Sequence, residues 1–549
     1  MSSTHHFSQK MIEVRNLNVW ANSESAVPRH IVRQVSFDLY RGQCIAIVGE
    51  SGSGKSVTAR SLVGLAGEQL RVQADRLDLQ GETLLNRSDG WWQRVRGSKV
   101  GFILQDALVS LDPLRPVGKE IAEALTLHGW GTRASRQAKV HALLEEVGVP
   151  QAERRASQRP GELSGGLRQR ALIASAIALH PDILIADEPT TALDVTVQAQ
   201  VLEVLRQMLD RGTSIILISH DLAVVAKIAD HILVMQGGSI VEAGPVKEVL
   251  SQPRHTYTQG LIKAIPSEHT KGQRLSDIKP TLVPQPIAAA ADANEVLLDA
   301  RHIIKRFRSH TAVDDVSFSL RHGETLGIVG ESGSGKTTLS RIVLALESPD
   351  RGEVLFCGKA WSHASTAEKQ AIRRQISVVY QDPLSSFDPR WRVGDILRDA
   401  ISLDRYPATQ SPDDRAVSLL ESVGLRAEHL HQRPARMSGG QRQRVAIARA
   451  IATHPKVIVL DEAVSALDVT VQAQILDLLS DLQAQLGVSY LFISHDLGVI
   501  HHMSDRVLVM QNGRAVEQGS ADEVFYRPRH PYTQTLLSSL PRLGAVDFA

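Results

Sequence analysis

Residues 45–56 read IAIVGESGSGKS, and residues 326–337 repeat the pattern as LGIVGESGSGKT. Each stretch is a short apolar run followed by G-x-x-x-x-G-K-[ST], the pattern of a loop that wraps phosphate groups between a strand and a helix. Glycines let backbone amides approach a phosphate closely, and the helix N-terminus adds the positive end of its dipole. We therefore predict a strand, a phosphate-binding loop and a helix at both places.

Each loop supplies the groups that the phosphates of a nucleotide need. Lys55 and Lys336 are expected to reach the β- and γ-phosphates, and the hydroxyls of Ser56 and Thr337 to bind Mg²⁺. A flexible Gly/Ser turn is the alternative for an isolated match, but two matches in the same context argue against it. The loop residues predicted to bind nucleotide are Gly49, Glu50, Ser51, Gly52, Ser53, Gly54, Lys55 and Ser56, and Gly330, Glu331, Ser332, Gly333, Ser334, Gly335, Lys336 and Thr337.

The loops belong to a duplication that covers nearly the whole chain. The repeated segments are LSGGLRQR and MSGGQRQR (from Leu163 and Met437), ADEPTTALDVTVQAQ and LDEAVSALDVTVQAQ (from Ala186 and Leu460), ISHDL (from Ile218 and Ile493), and HTYTQ and HPYTQ (from His255 and His530). Their order is the same in both halves, which predicts two copies of one domain.

Short apolar runs such as QCIAIV, DILIAD and SIILIS alternate with longer helical segments in each half. Runs of this length are typical of central strands in a parallel sheet that is covered on both faces. The segments HILVMQGGSIVEAG and RVLVMQNGRAVEQG predict hairpins with turns at Gly237-Gly238 and Asn512-Gly513. The predicted fold class is α/β with antiparallel additions, present twice.

The repeat also predicts the domain boundaries. We expect a disordered N-terminus at 1–11, a first domain at 12–266 and a second domain at 296–541, followed by a tail at 542–549. Between the domains, residues 267–295 contain prolines and a run of alanines without a helical or strand period. That composition predicts an extended linker.

The amino-acid composition argues against several classes of protein. The chain of 549 residues has 61 Lys plus Arg and 60 Asp plus Glu, a formal net charge of +1, which argues against a coat for nucleic acid or anionic lipid. Its two cysteines exclude a disulfide framework and a four-cysteine metal or iron–sulfur site. No apolar run approaches the roughly 18 residues that span a bilayer, and the N-terminus does not have the pattern of a secretory signal. We expect a soluble, cytoplasmic chain whose membrane role comes through partners.

Two acidic pairs follow buried strands. Asp187 and Asp461 end the runs ILIAD and VIVLD, and Glu188 and Glu462 come next. Carboxylates at this edge of a doubly wound sheet face the ligand crevice, so the aspartates are predicted to hold Mg²⁺ and the glutamates to polarise an attacking water. The alternative, that two acids end a strand and cap the next helix, would be favoured if the phosphate loops were absent.

The LSGG and MSGG segments resemble the signature motif of ABC-type ATPases. Gln105 and Gln381 match the Q-loop glutamine of that family, and His220 and His495 match its switch histidine. The D-loop matches are 192–194 and 466–468, and the resemblance extends over about 12–265 and 296–541. It implies two ABC domains, each with a mostly parallel sheet core, an antiparallel β subdomain and a helical signature subdomain.

The same resemblance implies two composite ATP sites in an intramolecular pseudo-dimer. One site is expected to combine the first half's loop, acids, Gln105 and His220 with the second half's signature. The other combines the second half's groups with the first signature. The signature residues carried over are Ser164, Gly165 and Gly166, and Ser438, Gly439, Gly440 and Gln441. Mg²⁺ is assigned to Ser56, Gln105 and Asp187 in one site, and to Thr337, Gln381 and Asp461 in the other.

Departures from the family pattern are few. Leu167 stands where Gln441 stands in the second signature, and because the serine and glycines are kept we expect at most a modest asymmetry. DEAV replaces DEPT after the second acidic strand, away from the reacting atoms. Phe307 matches the aromatic residue that stacks on adenine. In the first half the alignment places Ala21 there, and Trp20, its neighbour, is either a substitute or a surface residue.

The Q-loop continuations and the two R-H-x-Y-T-Q segments, 254–259 and 529–534, resemble the peptide/nickel importer subfamily. That resemblance implies two separate integral-membrane permeases, a periplasmic or lipid-anchored solute-binding protein, and a peripheral position on the cytoplasmic face of the bacterial inner membrane. Some relatives hold an iron–sulfur cluster near the C-terminus, but too few cysteines are present for one here. For the YTQ helices, plain domain packing is the alternative.

The rival hypothesis is a tandem ABC ATPase that acts on the ribosome instead of a transporter. Such proteins typically have a long, charged helical linker, whereas 267–295 is short and rich in Pro and Ala. The histidine pairs His5-His6 and His501-His502 do not have metal-site spacing with further ligands, so we do not predict a structural metal.

Overall fold

The computed structural model describes residues 9–21, 28–105, 110–190, 193–267, 269–278, 294–308, 310–362, 364–403 and 411–539. Within them the chain divides into two compact units, one ending at Ile262 and the other beginning at Lys263. Among the described residues, no helix combines the length and the apolar character that crossing a bilayer requires.

The strands of the first unit are β1 (Lys10–Ala21), β2 (Arg29–Tyr40), β3 (Cys44–Val48), β4 (Leu70–Gln73), β5 (Arg76–Leu79), β6 (Glu82–Thr83), β7 (Val100–Ile103), β8 (Ile183–Asp187), β9 (Ser214–Ile218), β10 (His231–Gln236) and β11 (Ser239–Pro245). Its helices are α1 (Lys55–Ser61), α2 (Asp89–Val95), α3 (Val117–Leu127), α4 (Arg133–Glu146), α5 (Ala152–Ala156), α6 (Gly165–Ala176), α7 (Val195–Asp210), α8 (Leu222–Ile228), α9 (Val246–Ser251) and α10 (Thr256–Lys263).

The central sheet of the first unit has the order β11-β10-β3-β9-β8-β7, and all its pairs are parallel except β10 with β11. Because side chains alternate across a strand, β8 contributes Ile183 and Ile185 to one core cluster and Leu184 and Ala186 to another. The first cluster lies against an antiparallel sheet, β2-β1-β5-β6 with β4 paired to β1. The other lies against the helices that include α3, α4, α6 and α7.

The strands of the second unit are β12 (Val296–Phe307), β13 (His310–Arg321), β14 (Thr325–Val329), β15 (Arg351–Phe356), β16 (Lys359–Ala360), β17 (Ile376–Tyr380), β18 (Val457–Asp461), β19 (Ser489–Ile493), β20 (Arg506–Gln511) and β21 (Arg514–Ser520). Its helices are α11 (Lys336–Val343), α12 (Thr366–Arg373), α13 (Val393–Ser402), α14 (Pro412–Ser422), α15 (Gly439–Ile451), α16 (Val469–Leu486), α17 (Leu497–Met503), α18 (Ala521–Tyr526) and α19 (Pro531–Ser538).

The second unit repeats the architecture of the first. Its central sheet has the order β17-β18-β19-β14-β20-β21, and its antiparallel sheet has the order β13-β12-β15-β16. The predicted hairpins are β10–β11 and β20–β21, and the residues of both turns have positive φ, as a two-residue turn of this type requires. The predicted α/β fold, present twice, is confirmed.

Two of the expected boundary segments differ from the structure where it describes them. Residues 10 and 11 of the expected disordered N-terminus belong to β1, and Met11 is fully buried because strand pairing places its side chain in the core. In the expected linker, Leu275 is 2% exposed and packs in the core of the second unit. This part of 267–295 is therefore a docked segment and not an extended one. Residues 279–293, Pro541 and the tail 542–549 lie outside the described residues.

Candidate functional site

The two phosphate-binding loops connect a fully buried strand to a helix, as predicted. β3 leads into the first loop and α1 begins at Lys55, while β14 and α11 hold the second. Gly49 has φ +145°, and a Cβ atom there would lie 2.1 Å from the carbonyl oxygen of Met235. Gly330, with φ +154°, would meet the carbonyl of Met510 at 2.2 Å. Both loops are therefore pressed against the sheet in a way that only glycine permits.

The loop lysines are folded back onto their own loops. Lys55 Nζ donates to the carbonyl oxygens of Gly49 and Glu50 at 2.7 and 2.8 Å. Lys336 makes the corresponding bonds in the second loop at the same two distances. Both lysines are almost fully buried. An ammonium group has three donors, so each lysine can turn toward an anion placed in the loop without leaving both carbonyls.

The first acidic pair meets the loop at its hydroxyl residue. Ser56 Oγ donates to Asp187 Oδ1 at 3.0 Å. Asp187 is fully buried, and its Oδ2 atom finds no hydrogen-bond partner among the described residues. Burial raises the pKa of Asp187, and the charge of Glu188 raises it further, although the bond from Ser56 lowers it. A desolvated carboxylate with an orphaned oxygen is suited to a cation that would stabilise its ionised form.

Glu188 lies at the centre of the remaining first-half groups. Its Oε2 accepts a hydrogen bond from Gln105 Nε2 at 3.0 Å and lies 3.4 Å from His220 Nδ1. Burial alone would lower the pKa of His220, but the hydrogen bond and charge of Glu188 raise it overall. The structure thus brings the glutamine, the glutamate and the histidine together around one carboxylate, beside the Ser56–Asp187 pair.

The second half brings its glutamate and histidine together in the same way. His495 Nδ1 lies 3.5 Å from Glu462 Oε1. This interaction lowers the pKa of Glu462 despite its burial. It also raises the pKa of His495 against the opposing effect of its own burial. The second glutamate is therefore held in its ionised form by the histidine beside it.

Two hydrogen bonds around the second acidic pair, Asp461 and Glu462, differ from those around the first pair, Asp187 and Glu188. Asp461 Oδ2 accepts a hydrogen bond from Ser340 Oγ at 3.4 Å, and no bond among the described residues joins it to Thr337. Gln381 Nε2 donates to Ser465 Oγ at 3.3 Å and not to Glu462. Sequence reasoning missed both serines. Spacing could have indicated Ser340, because it lies one helical turn after Thr337 on the same face of α11.

Each signature segment starts a helix. Ser164 caps α6 and accepts a hydrogen bond from Leu167 N at 3.4 Å. Ser438 caps α15 and accepts one from Gln441 N at 3.3 Å, and Gln441 Oε1 returns a bond by accepting from Ser438 N at 3.0 Å. Leucine cannot make the return bond, so the first signature has half of the capping box that the second has. Among the described residues, no hydrogen bond joins Ser164 to Asp187 or Glu188. None joins Ser438 to Asp461 or Glu462.

The oxygen groups around the two aspartates suit Mg²⁺ in chemistry. Hydroxyl and carboxylate oxygens are the ligands that this ion prefers, and Asp187 Oδ2 is a buried acceptor without a partner in the described chain. The candidate metal residues Ser56 and Asp187 are within hydrogen-bond distance of each other. Gln105 is linked to these residues by its hydrogen bond to Glu188, the neighbour of Asp187. The residues present therefore fit a magnesium ion bound together with the phosphates.

The candidate adenine residues differ in environment. Phe307 is the last residue of β12 and is 46% exposed, and the ammonium of Lys305 lies 5.3 Å from the centroid of its ring. Ala21 is the last residue of β1, which agrees with the alignment of the two halves. Trp20 stacks on His30 across the β1–β2 pair, with ring centroids 4.6 Å apart.

The D-loop residues lie next to helix starts. Ala192 lies outside the described residues, and Asp194 and Asp468 cap α7 and α16.

The chain matches two families of known proteins. The family described as ABC transporter matches residues 32–191 and 313–465. The family described as Oligopeptide/dipeptide transporter, C-terminal region, matches 241–290 and 516–547. Curated relatives include proteins named glutathione import ATP-binding protein GsiA. The one from Salmonella paratyphi A is 42% identical over 97% of this chain and 90% of its own, and that from Pectobacterium atrosepticum is 41% identical with the same coverage.

A solved structure resembles the chain over both units. It is that of an archaeal ribosome recycling factor, in complex with the archaeal ribosomal stalk protein aP1. The likeness covers 91% of this chain and 88% of the other, with a TM-score of 0.59 and 20% sequence identity. At that identity the likeness concerns the fold alone.

Proposed function

The chain belongs to the ABC transporter family and is an ATPase, and from this premise we propose that it energises a bacterial importer of peptides or related small solutes. The observation that carries the import proposal is the match of the C-terminal region of both halves to the oligopeptide/dipeptide transporter family. Relatives named for glutathione import, similar over nearly the whole chain, support peptide-like cargo.

We propose further that ATP binds in two composite sites, each completed by the signature of the other half. Lys55 and Lys336 contact the β- and γ-phosphates, and the signature serines and glycines offer a hydroxyl and backbone amides to the γ-phosphate. The γ-phosphate then bridges two halves, and its removal lets them separate.

Hydrolysis in each site needs a base beside the attacking water. Glu188 and Glu462 take the proton as the water oxygen bonds to the γ-phosphorus and the bond to the β-phosphate oxygen breaks, giving ADP and phosphate. His220 and His495 hold these glutamates in place through the contacts described above. Mg²⁺, held by Ser56 with Asp187 and by Thr337 with Asp461, would neutralise phosphate charge.

The partners follow from the proposed transport function. We propose two integral-membrane permeases, and a periplasmic or lipid-anchored solute-binding protein that delivers the cargo. The chain itself would act at the cytoplasmic face of the inner membrane, as a peripheral subunit.

Affinity purification from solubilised membranes of the native host tests this function. The tagged chain should recover two polytopic permeases. The complex reconstituted in liposomes should hydrolyse ATP faster when the solute-binding protein is added with glutathione or a dipeptide. A matched Lys55→Ala/Lys336→Ala chain should recover the permeases but show no stimulation. Recovery of ribosomal proteins without permeases would contradict the import function and favour the ribosome-acting alternative.

A further inference from the structure

A tyrosine from the R-H-x-Y-T-Q segment touches the phosphate-binding loop in each unit. The backbone N–H of Glu50, the second residue of the first loop, donates to the hydroxyl of Tyr257 at 2.9 Å. Tyr257 lies in the first turn of α10. In the second unit the N–H of Glu331 donates to the hydroxyl of Tyr532, in the first turn of α19, at 3.1 Å.

The peptide group that binds the tyrosine also binds the loop lysine. The N–H of Glu50 and the carbonyl of Gly49 belong to one peptide unit, and that carbonyl accepts from Lys55 Nζ at 2.7 Å. A continuous chain of hydrogen bonds therefore runs from the lysine through the peptide to the tyrosine hydroxyl. Because bonds in such a chain polarise one another, the tyrosine strengthens the carbonyl as an acceptor and fixes the plane in which it points.

The second unit reproduces this chain of bonds. Its peptide lies between Gly330 and Glu331, and the carbonyl of Gly330 accepts from Lys336 Nζ at 2.7 Å. The N–H of the same peptide donates to Tyr532. Neither glycine can be replaced without a clash, since a Cβ would meet the neighbouring strand. The peptide is thus fixed from three directions: by the strand, by the lysine and by the tyrosine.

A dedicated set of bonds holds the tyrosine in position. The carboxylate of Glu242, on β11, accepts from the backbone N–H groups of Arg254 and His255 at 2.8 and 3.1 Å. His255 Nδ1 then accepts from Tyr257 N at 3.2 Å. Arg254, His255 and Tyr257 therefore contribute to one arrangement of hydrogen bonds that begins on the edge strand and ends at the loop.

The same arrangement recurs in the second unit with nearly the same distances. Glu517 accepts from Arg529 N and His530 N at 2.7 and 3.1 Å, and His530 Nδ1 accepts from Tyr532 N at 3.2 Å. The loops are offset by 281 residues between the halves, whereas the tyrosines are offset by 275. The bond between the tyrosine hydroxyl and the loop is therefore present in both units, although the spacing along the chain differs between them.

We propose that Tyr257 and Tyr532 are positioning residues for the phosphate-binding lysines. Each hydroxyl holds the first peptide of its loop, so that the carbonyl of this peptide fixes the position of the lysine ammonium beside the loop. This inference rests on the proposed roles of Lys55 and Lys336. It assigns to the YTQ helices a part in ATP binding beyond domain packing.

Tyrosine-to-phenylalanine substitutions in the full chain test this role. Tyr257→Phe/Tyr532→Phe removes both hydroxyls and keeps both rings. We expect the KM for ATP and the Kd of ATP to rise about five- to tenfold, the range that one net hydrogen bond accounts for, while kcat changes less than about twofold. Tyr490→Phe is the matched control, because Tyr490 is fully buried and donates to Leu479 O at 2.9 Å. It should lower the melting temperature and leave KM unchanged.

The outcomes separate this inference from the proposed function. If Lys55→Ala/Lys336→Ala loses ATP binding but the phenylalanine variants keep the wild-type KM, the positioning role is wrong and the lysine roles stand. The KM for ATP of the phenylalanine variants could rise only in proportion to a fall in their melting temperature. That result would indicate a merely structural loss, and the positioning role would again be wrong. If the lysine variants bind ATP normally, the lysine roles fail, and the inference fails with them.

Discussion

The docked segment before the second domain offers a direct test of the structure. Asp477 lies in α16 with its side chain 4% exposed, and its carboxylate accepts hydrogen bonds from Leu275 N at 3.0 Å, Ser276 N at 2.9 Å and Ser276 Oγ at 2.6 Å. Beside it, Arg274 pairs with Asp481 at 2.8 Å. The substitution Asp477→Asn keeps the shape of the side chain but removes the charge and one acceptor oxygen.

The magnitude follows from the bonds that this change affects. A hydrogen bond to a charged group contributes about 1.5–3 kcal/mol, and a buried donor left unpaired costs about 1–3 kcal/mol. The side-chain oxygen of asparagine can still accept from Leu275 N. Its NH₂ group then takes the place of the oxygen that accepts from Ser276 N, so that two donors face each other. We therefore expect docking of this segment to weaken by about 3 kcal/mol, which raises the population of the undocked segment about 100-fold.

Limited proteolysis measures that population. Lys271 and Arg274 are trypsin sites within the segment, and cleavage follows the open population when opening is fast relative to cleavage. We expect the cleavage rate to rise about 100-fold in Asp477→Asn. Glu203→Gln is the matched control, because Glu203 is the exposed counterpart in α7. Asp481→Asn, which removes one partly exposed ion pair, should raise the rate less than about fivefold. Equal rates in Asp477→Asn and the wild type would refute the docking.

Three further predictions concern the ATP sites. Glu188→Gln and Glu462→Gln should each greatly reduce hydrolysis and spare ATP binding, and normal turnover in both would contradict their role as bases. Lys336→Ala should remove one of two bound nucleotides per chain, as counted by equilibrium dialysis, whereas a stoichiometry of two would contradict the phosphate contact. Leu167→Gln should complete the capping box seen at Gln441 and raise the melting temperature slightly, with ATPase activity within about twofold; a several-fold faster enzyme would mean that the first signature is a weak site.

Much of the fold was predictable because its signals are local. Five or six apolar residues followed by the glycine pattern indicated β3 and β14, and the turn residues Gly237-Gly238 and Asn512-Gly513 indicated the hairpins. The acidic pairs could be placed because a residue that ends a parallel strand lies at the ligand edge of the sheet. These inferences need only short-range geometry.

Other features depend on residues far apart in the chain. Leu275 and Asp477 are separated by 202 residues, and the Pro- and Ala-rich composition of the surrounding segment indicated a linker. The bond between Glu50 and Tyr257 spans 207 residues. The repetition of the tyrosine in both halves was visible, but the sequence pattern does not specify which atom its hydroxyl reaches. Both contacts are determined by tertiary packing.

The two candidate sites show how identical reacting groups can have different surroundings. Both halves have the same loop sequence apart from its last residue, yet Gln105 bonds to Glu188 whereas Gln381 bonds to Ser465. Glu188 therefore accepts from Gln105 as well as lying beside His220. These neighbouring contacts and the presence of Leu167 in place of Gln441 are the differences from which a kinetic inequality between the sites would arise, since the lysines, acids and histidines are the same.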